Sequence, residues 1–255
     1  MLASDTKVSN VPKVPKVSKG QLHSIIYHDI FDYPLTSEEL KKWAARGEPR
    51  QRREVGSEIK KTSGYFHLKG RNSLVSLRKS REKESVRKLK IVRRVAAKIA
   101  IIPTINFIGV TGSLAMNNAK RESDLDLMIV TSKGTLWTTR LLVRIVSFLN
   151  RLTIRRAGSN KSKDAVCFNL WMDEEHLEIP RKMRNLYTAH EVLQVMPLIN
   201  RGYTFENFLE VNKWALEFWP NAKGDTRYVI RDKKNYHVSH FLSLIVLFFE
   251  PVAYR

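Results

Sequence analysis

The most constraining stretch of this chain lies between residues 105 and 130. Two apolar, β-branched runs, Ile105 to Val110 and Asp124 to Val130, are separated by a polar segment that opens with Thr111-Gly112-Ser113. Runs of this length and composition read as buried strands. In the second run the order Asp-Leu-Asp-Leu alternates acidic and apolar residues. With a side-chain period of two, Asp124 and Asp126 fall on one face of the strand, and Leu125 and Leu127 on the other. Leu114 to Ala119 reads as a short helix between the strands. The chain is thus expected to set two carboxylates, one pleat apart, beside a glycine-serine turn.

The chemistry available to such a group is narrow. Paired carboxylates on a rigid strand suit a hard divalent cation such as Mg²⁺ or Mn²⁺. Gly112 allows close backbone approach to a phosphate, and Ser113 adds a hydroxyl. Strand, Gly-Ser, short helix and Asp-x-Asp, in that order, resemble the DNA polymerase β-type nucleotidyltransferases. The resemblance implies an α/β (α+β) core over residues 103–180 and a nucleoside triphosphate substrate. It implies metal ligation by Asp124 and Asp126, and phosphate binding by Gly112 and Ser113. Lys120 and Arg121, in the loop before the aspartates, read as solvated.

Active relatives generally carry a third carboxylate on a later strand. Ala165 to Met172 is the candidate strand here. Its alternation puts Cys167, Asn169 and Trp171 on one face and Val166, Phe168 and Leu170 on the other. Asn169 is expected at the third catalytic position, where an amide ligates without charge and cannot serve as a base. Asp164 and Asp173, at the strand's two ends, are the carboxylates within reach as substitutes. Leu136 to Leu152, with Trp137, Leu141, Ile145, Phe148, Leu149 and Leu152, reads as a helix whose apolar face covers the sheet.

Around this core the sequence divides into segments. Residues 1–20, with a repeated Val-Pro-Lys unit, read as an extended basic tail. Residues 21–80 read as a domain resembling a winged helix-turn-helix. Its expected helices begin at Leu22, Thr36 and about Arg53, the last running to Thr62. Its expected hairpin pairs residues 65–68 with 74–77. Thr36 and Glu39 have capping-box spacing. Residues 81–102 read as a connecting basic amphipathic helix with an apolar stripe of Val86, Leu89, Val92, Val95 and Ile99. Residues 181–255 read as a helical region, with helices over 187–196 and 205–219. His190 and Glu191 point in different directions there and are expected to be structural. The apolar run Phe241 to Phe249, broken by Ser243, near the last residue suggests a fragment of a longer chain.

Composition bounds the partners. Lys and Arg number 45 against 25 Asp and Glu, a formal net charge of +20. Much of the excess lies in residues 41–100, the expected surface for nucleic acid. One cysteine, Cys167, excludes an intramolecular disulfide and fits a reducing cytoplasm. No apolar run reaches the roughly 20 residues of a membrane span. The leading expectation is transfer of a nucleoside monophosphate to a hydroxyl. The alternative is a nucleic-acid-binding regulator whose degenerate domain senses nucleotide.

Overall fold

The computed structural model describes residues 17–46, 58–155 and 163–223. The chain divides into two compact units, Met1–Val75 and Ser76–Arg255.

The first unit opens with α1 (Lys19–Asp29) and α2 (Ser37–Lys42), each closed by a capping box. Ser18 and Gln21 satisfy each other's backbone N–H groups at α1. Thr36 and Glu39 do so at α2, as their spacing predicts. The hairpin differs from expectation. Ile59–Thr62 forms β1 and pairs antiparallel with β2 (Tyr65–Leu68). The expected third helix over 53–62 is therefore a strand in its described part, and residues 53–57 lie outside the described residues. Ser63 and Gly64 both have positive φ, 48° and 88°, as a tight primed hairpin turn requires. Gly64 had the look of a helix stop because glycine punctuates both structures. Residues 74–77, expected as the second hairpin strand, are instead helical.

α3 (Ser73–Ile99) is longer than the expected 81–102 and lies almost wholly in the second unit. Leu89, Val92, Val95 and Ile99 are buried as its stripe predicts, but Val86 is 56% exposed. The sheet has the order β5-β4-β3-β6. β3 (Ile105–Val110) runs antiparallel to β4 (Leu125–Thr131) and to β6 (Met196–Asn200). β4 and β5 (Val166–Asp173) are parallel, with α5 (Leu136–Leu149) as their crossover. Val92 and Ile99 of α3 and Val143 of α5 share one core with Ile108, Leu127 and Ile129. On the other side Phe107 stacks on Phe205 of α7 (Thr204–Val211), ring centroids 5.3 Å apart.

Two expectations for this unit need correction. The C-terminal region is not purely helical: between α6 (Leu186–Gln194) and α7 the chain adds β6. Pro197 reads as a helix break, yet on an edge strand a missing N–H is tolerated. The apolar stripe of α5 does not cover the sheet. Trp137, Leu141, Ile145, Phe148 and Leu149 are exposed, and the helix buries Thr138, Thr139, Val143 and Ser147 instead. No described helix is long and apolar enough to cross a membrane.

Candidate active site

The loop between β3 and β4 is held from beneath by α3. Arg81 Nη1 donates to Asn118 Oδ1 at 3.1 Å, and the Ala119 N–H donates to Ser85 Oγ at 3.1 Å. Lys88, fully buried, donates from Nζ to the Ser123 carbonyl at 2.7 Å and to Asp164 Oδ1 at 2.8 Å. Arg87 also grips Asp164, with its Nη2 at 2.7 and 2.8 Å from the two carboxyl oxygens. Burial pushes the Asp164 carboxyl up, but the hydrogen bonds from Arg87 and Lys88 outweigh it and hold the group below its ordinary range. Buried Arg81 and Lys88, with Arg87 at the surface, fix the loop that ends at Asp124. Removing one partner of such a pair leaves a desolvated charge. Lys88→Met is expected to destabilise the fold by about 3 kcal/mol, given that Asp164 keeps some solvent contact. Urea unfolding checks this, with Lys90→Met expected within about 0.5 kcal/mol of wild type.

At the end of β3 the Thr111 N–H donates to the Asp126 carbonyl at 3.0 Å. Gly112 follows with φ +62°, and a Cβ there would lie 2.8 Å from Asp126 Oδ2. The position thus requires glycine for both its backbone angle and its close approach to a carboxylate. α4 spans only Gly112–Ala115, a single turn, shorter than the expected 114–119 helix and displaced from it. Ser113 is exposed at its start.

Asp124 and Asp126 do share a face, the one opposite buried Leu125 and Leu127. Arg155 Nη1 donates to Asp124 Oδ2 at 2.5 Å. Asp126 is raised above the ordinary carboxylate range, first by burial and then by the charge of Asp124; Cys167 and Arg155 partly offset both.

The third position is occupied differently from expectation. In the β4–β5 register Asp126 pairs with Cys167 and Leu127 with Phe168, but Met128 pairs with Leu170. The register shift leaves Asn169 as the extra residue of a bulge, and it is exposed. The structure therefore does not bring Asn169 to the two aspartates. It brings Cys167, whose sulfur lies within 4.8 Å of an oxygen of each. Burial, followed by the charges of Asp126 and Asp124, raises the Cys167 thiol, so it is protonated at neutral pH and hydrogen-bonds Asp126. Neither fallback carboxylate takes its place. Asp164 is bound to Arg87 and Lys88, and Asp173 accepts from His176 Nδ1 at 2.6 Å.

Sequence reasoning also passed over Glu191 as a neighbour of the site. His190 packs edge-on to Trp219, while Glu191 accepts from Gln194 Nε2 at 2.5 Å, so the two do diverge. Burial pushes the Glu191 carboxyl up to about 7; the Gln194 hydrogen bond opposes this, and the charge of Asp126 adds to it. A carboxyl raised from 4.5 in the unfolded chain to about 7 in the folded one binds protons more tightly when folded. Its stabilising contribution is complete below pH 4.5 and is lost as pH rises through about 7. Glu191→Gln is expected to remove that slope and to be more stable than wild type at pH 8, by up to about 3 kcal/mol. Thermal unfolding at pH 5 and pH 8 checks the difference.

Residues 74–158 match the family model of the nucleotidyltransferase domain. That range takes in β3, Gly112, Ser113, α4, both aspartates and α5, and stops before Cys167 and Glu191. A solved structure from Sulfolobus solfataricus, described as a "putative nucleotidyltransferase", is 21% identical with a TM-score of 0.27; the alignment covers 38% of this chain and 76% of that one. No curated protein matches the chain. The match over this segment supports nucleotidyl transfer as the general activity.

Proposed function

We propose that the nucleotidyltransferase domain moves a nucleoside monophosphate from a triphosphate to a hydroxyl acceptor. The observation that carries the reading is the close approach of Gly112 to the Asp126 carboxylate, with Asp124 one pleat away. It joins a phosphate-accessible turn to an acidic pair within one matched segment.

In this reading Gly112 and Ser113 receive the triphosphate. Asp124 and Asp126 hold a divalent cation. Two hard oxygen donors one pleat apart fit Mg²⁺ or Mn²⁺, and the neutral thiol of Cys167 adds no charge to the set. When bound, the cation supplies charge neutralisation at the α-phosphate and the leaving pyrophosphate. Arg155, now on Asp124, exchanges that carboxylate for a phosphate oxygen when nucleotide arrives; a guanidinium is equally suited to both. Asp126 orients the cation from a rigid strand. The excess of basic residues between 41 and 100 supplies a long-range field for a polyanionic partner.

Incubation of the purified chain with α-labelled nucleoside triphosphates, Mg²⁺ or Mn²⁺, and a mixture of RNA and protein acceptors tests this. Label is expected on an acceptor with wild type and not with the Asp124→Ala/Asp126→Ala double variant. Equal labelling by both proteins sinks the reading.

A further inference from the structure

A cavity of about 670 Å³ lies along the open edge of β5, on the side where α5 packs. Sites for small ligands run on the order of 300–1000 Å³. Three arginines line it, Arg140, Arg144 and Arg155, and among the described residues no carboxylate does. Arg140 and Arg144 stand one helical turn apart on α5, and neither makes an ion pair among the described residues. The Arg140 guanidinium lies over the rings of Trp137 and Trp171, 4.9 and 5.4 Å from their centroids. Ser147, also on the wall, has a buried hydroxyl without a hydrogen-bond partner among the described residues.

Phe168 and Trp171 are partly buried against the core, but two rings of this region stand in solvent. Phe148 lines the cavity and is 82% exposed, and Trp137 beside it is 53% exposed. Phe168 and Trp171 form a tilted pair on the opposite wall, 5.8 Å between centroids. Rings interleaved with Arg140 and Arg144, which make no ion pair among the described residues, form a two-part receptor. Guanidinium forks bind phosphate oxygens, and flat rings accept bases of any sequence. An acidic peptide would use the arginines but leave the rings without a purpose.

The cavity also reaches the catalytic group. Cys167 and Arg155 line it, and these same residues touch Asp126 and Asp124. We propose that this cavity binds the end of a single-stranded polynucleotide, phosphates on Arg140 and Arg144 and a base on Phe148 and Trp171, as the acceptor. The role as acceptor rests on the nucleotidyl-transfer reading; the binding does not. The terminal hydroxyl oxygen forms a bond to the α-phosphorus of the triphosphate. The bond from that phosphorus to the bridging oxygen breaks, pyrophosphate leaves with the electron pair, and the hydroxyl proton passes to solvent.

Fluorescence anisotropy of end-labelled oligouridylate and oligothymidylate with the full chain tests the binding, with polyglutamate as the acidic-peptide probe. Single strands are expected to bind with an affinity that falls steeply with salt. Arg144→Ala and Phe148→Ala, both at exposed positions, are expected to weaken binding about tenfold each, and Arg144→Ala to flatten the salt slope by about one. A preference for one sugar identifies RNA or DNA as the source. Unchanged binding in both cavity variants, or polyglutamate binding as tightly as the oligonucleotides, overturns the proposal. In that case label transfer to another acceptor still upholds the transferase reading. Cavity-dependent binding without label transfer sinks the transferase reading alone and leaves a single-strand-binding site.

Discussion

Asp126→Asn is expected to lower nucleotidyl transfer by about 10³-fold or more while leaving the fold intact. The substitution keeps the side chain's shape beside Gly112, and the Thr111 N–H still finds the backbone carbonyl of residue 126. What it removes is one of the two carboxylates proposed to hold the divalent cation. The same carboxylate is disfavoured in the free protein, by burial and by Asp124. The melting temperature is therefore expected to hold or to rise slightly, so that loss of activity cannot be put down to unfolding. Asp124→Asn is expected to cost a similar factor. The double variant is expected to cost little more than either single one, because the two groups act as a unit. Single-turnover transfer with α-labelled triphosphate, beside a thermal melt of each variant, reads both effects.

Cys167→Asp is expected to raise the rate with Mg²⁺ by about 10–100-fold, below the 10²–10⁴-fold range of a well-placed acid–base group. Cys167 is the residue of β5 that pairs with Asp126, and a carboxylate there completes a cluster of three. The gain carries a cost: three neighbouring anions repel, so the metal-free variant is expected to be less stable and to recover when Mg²⁺ is added. Two controls locate the effect. Cys167→Ser adds no charge and is expected to give no gain. Asn169→Asp adds a charge on the exposed bulge and is also expected to give none. A gain from Asn169→Asp instead would place the third ligand where strict strand alternation puts it.

That contrast shows how far the sequence reached. The apolar runs of β3 and β4, the shared face of Asp124 and Asp126, and the capping box at Thr36 were legible because each is a local pattern with a fixed period. The face of β5 that looks toward Asp126 was legible too. The residue on it was not, because a bulge adds one residue without changing the composition around it. Lys88 read as one more cation on a basic helix; its burial depends on Asp164, distant in sequence and folded against it. The exposed stripe of α5 misled because an apolar face ordinarily points inward. Here Thr138, Thr139 and Ser147 pack inward, and the rings stay outside beside arginines. β6 was hidden by Pro197, whose missing N–H matters less at a sheet edge than in a helix.

The central claim is that the chain transfers a nucleotide and not a phosphoryl group. Parallel reactions with triphosphate labelled at the α or the γ phosphate, with Mg²⁺ and a single-stranded acceptor, test it most directly. The α label is expected to enter the acceptor, the γ label to be released in pyrophosphate in equal amount, and Asp126→Asn to abolish both. Transfer of the γ label to the acceptor, or α-label transfer that survives Asp126→Asn, would contradict it.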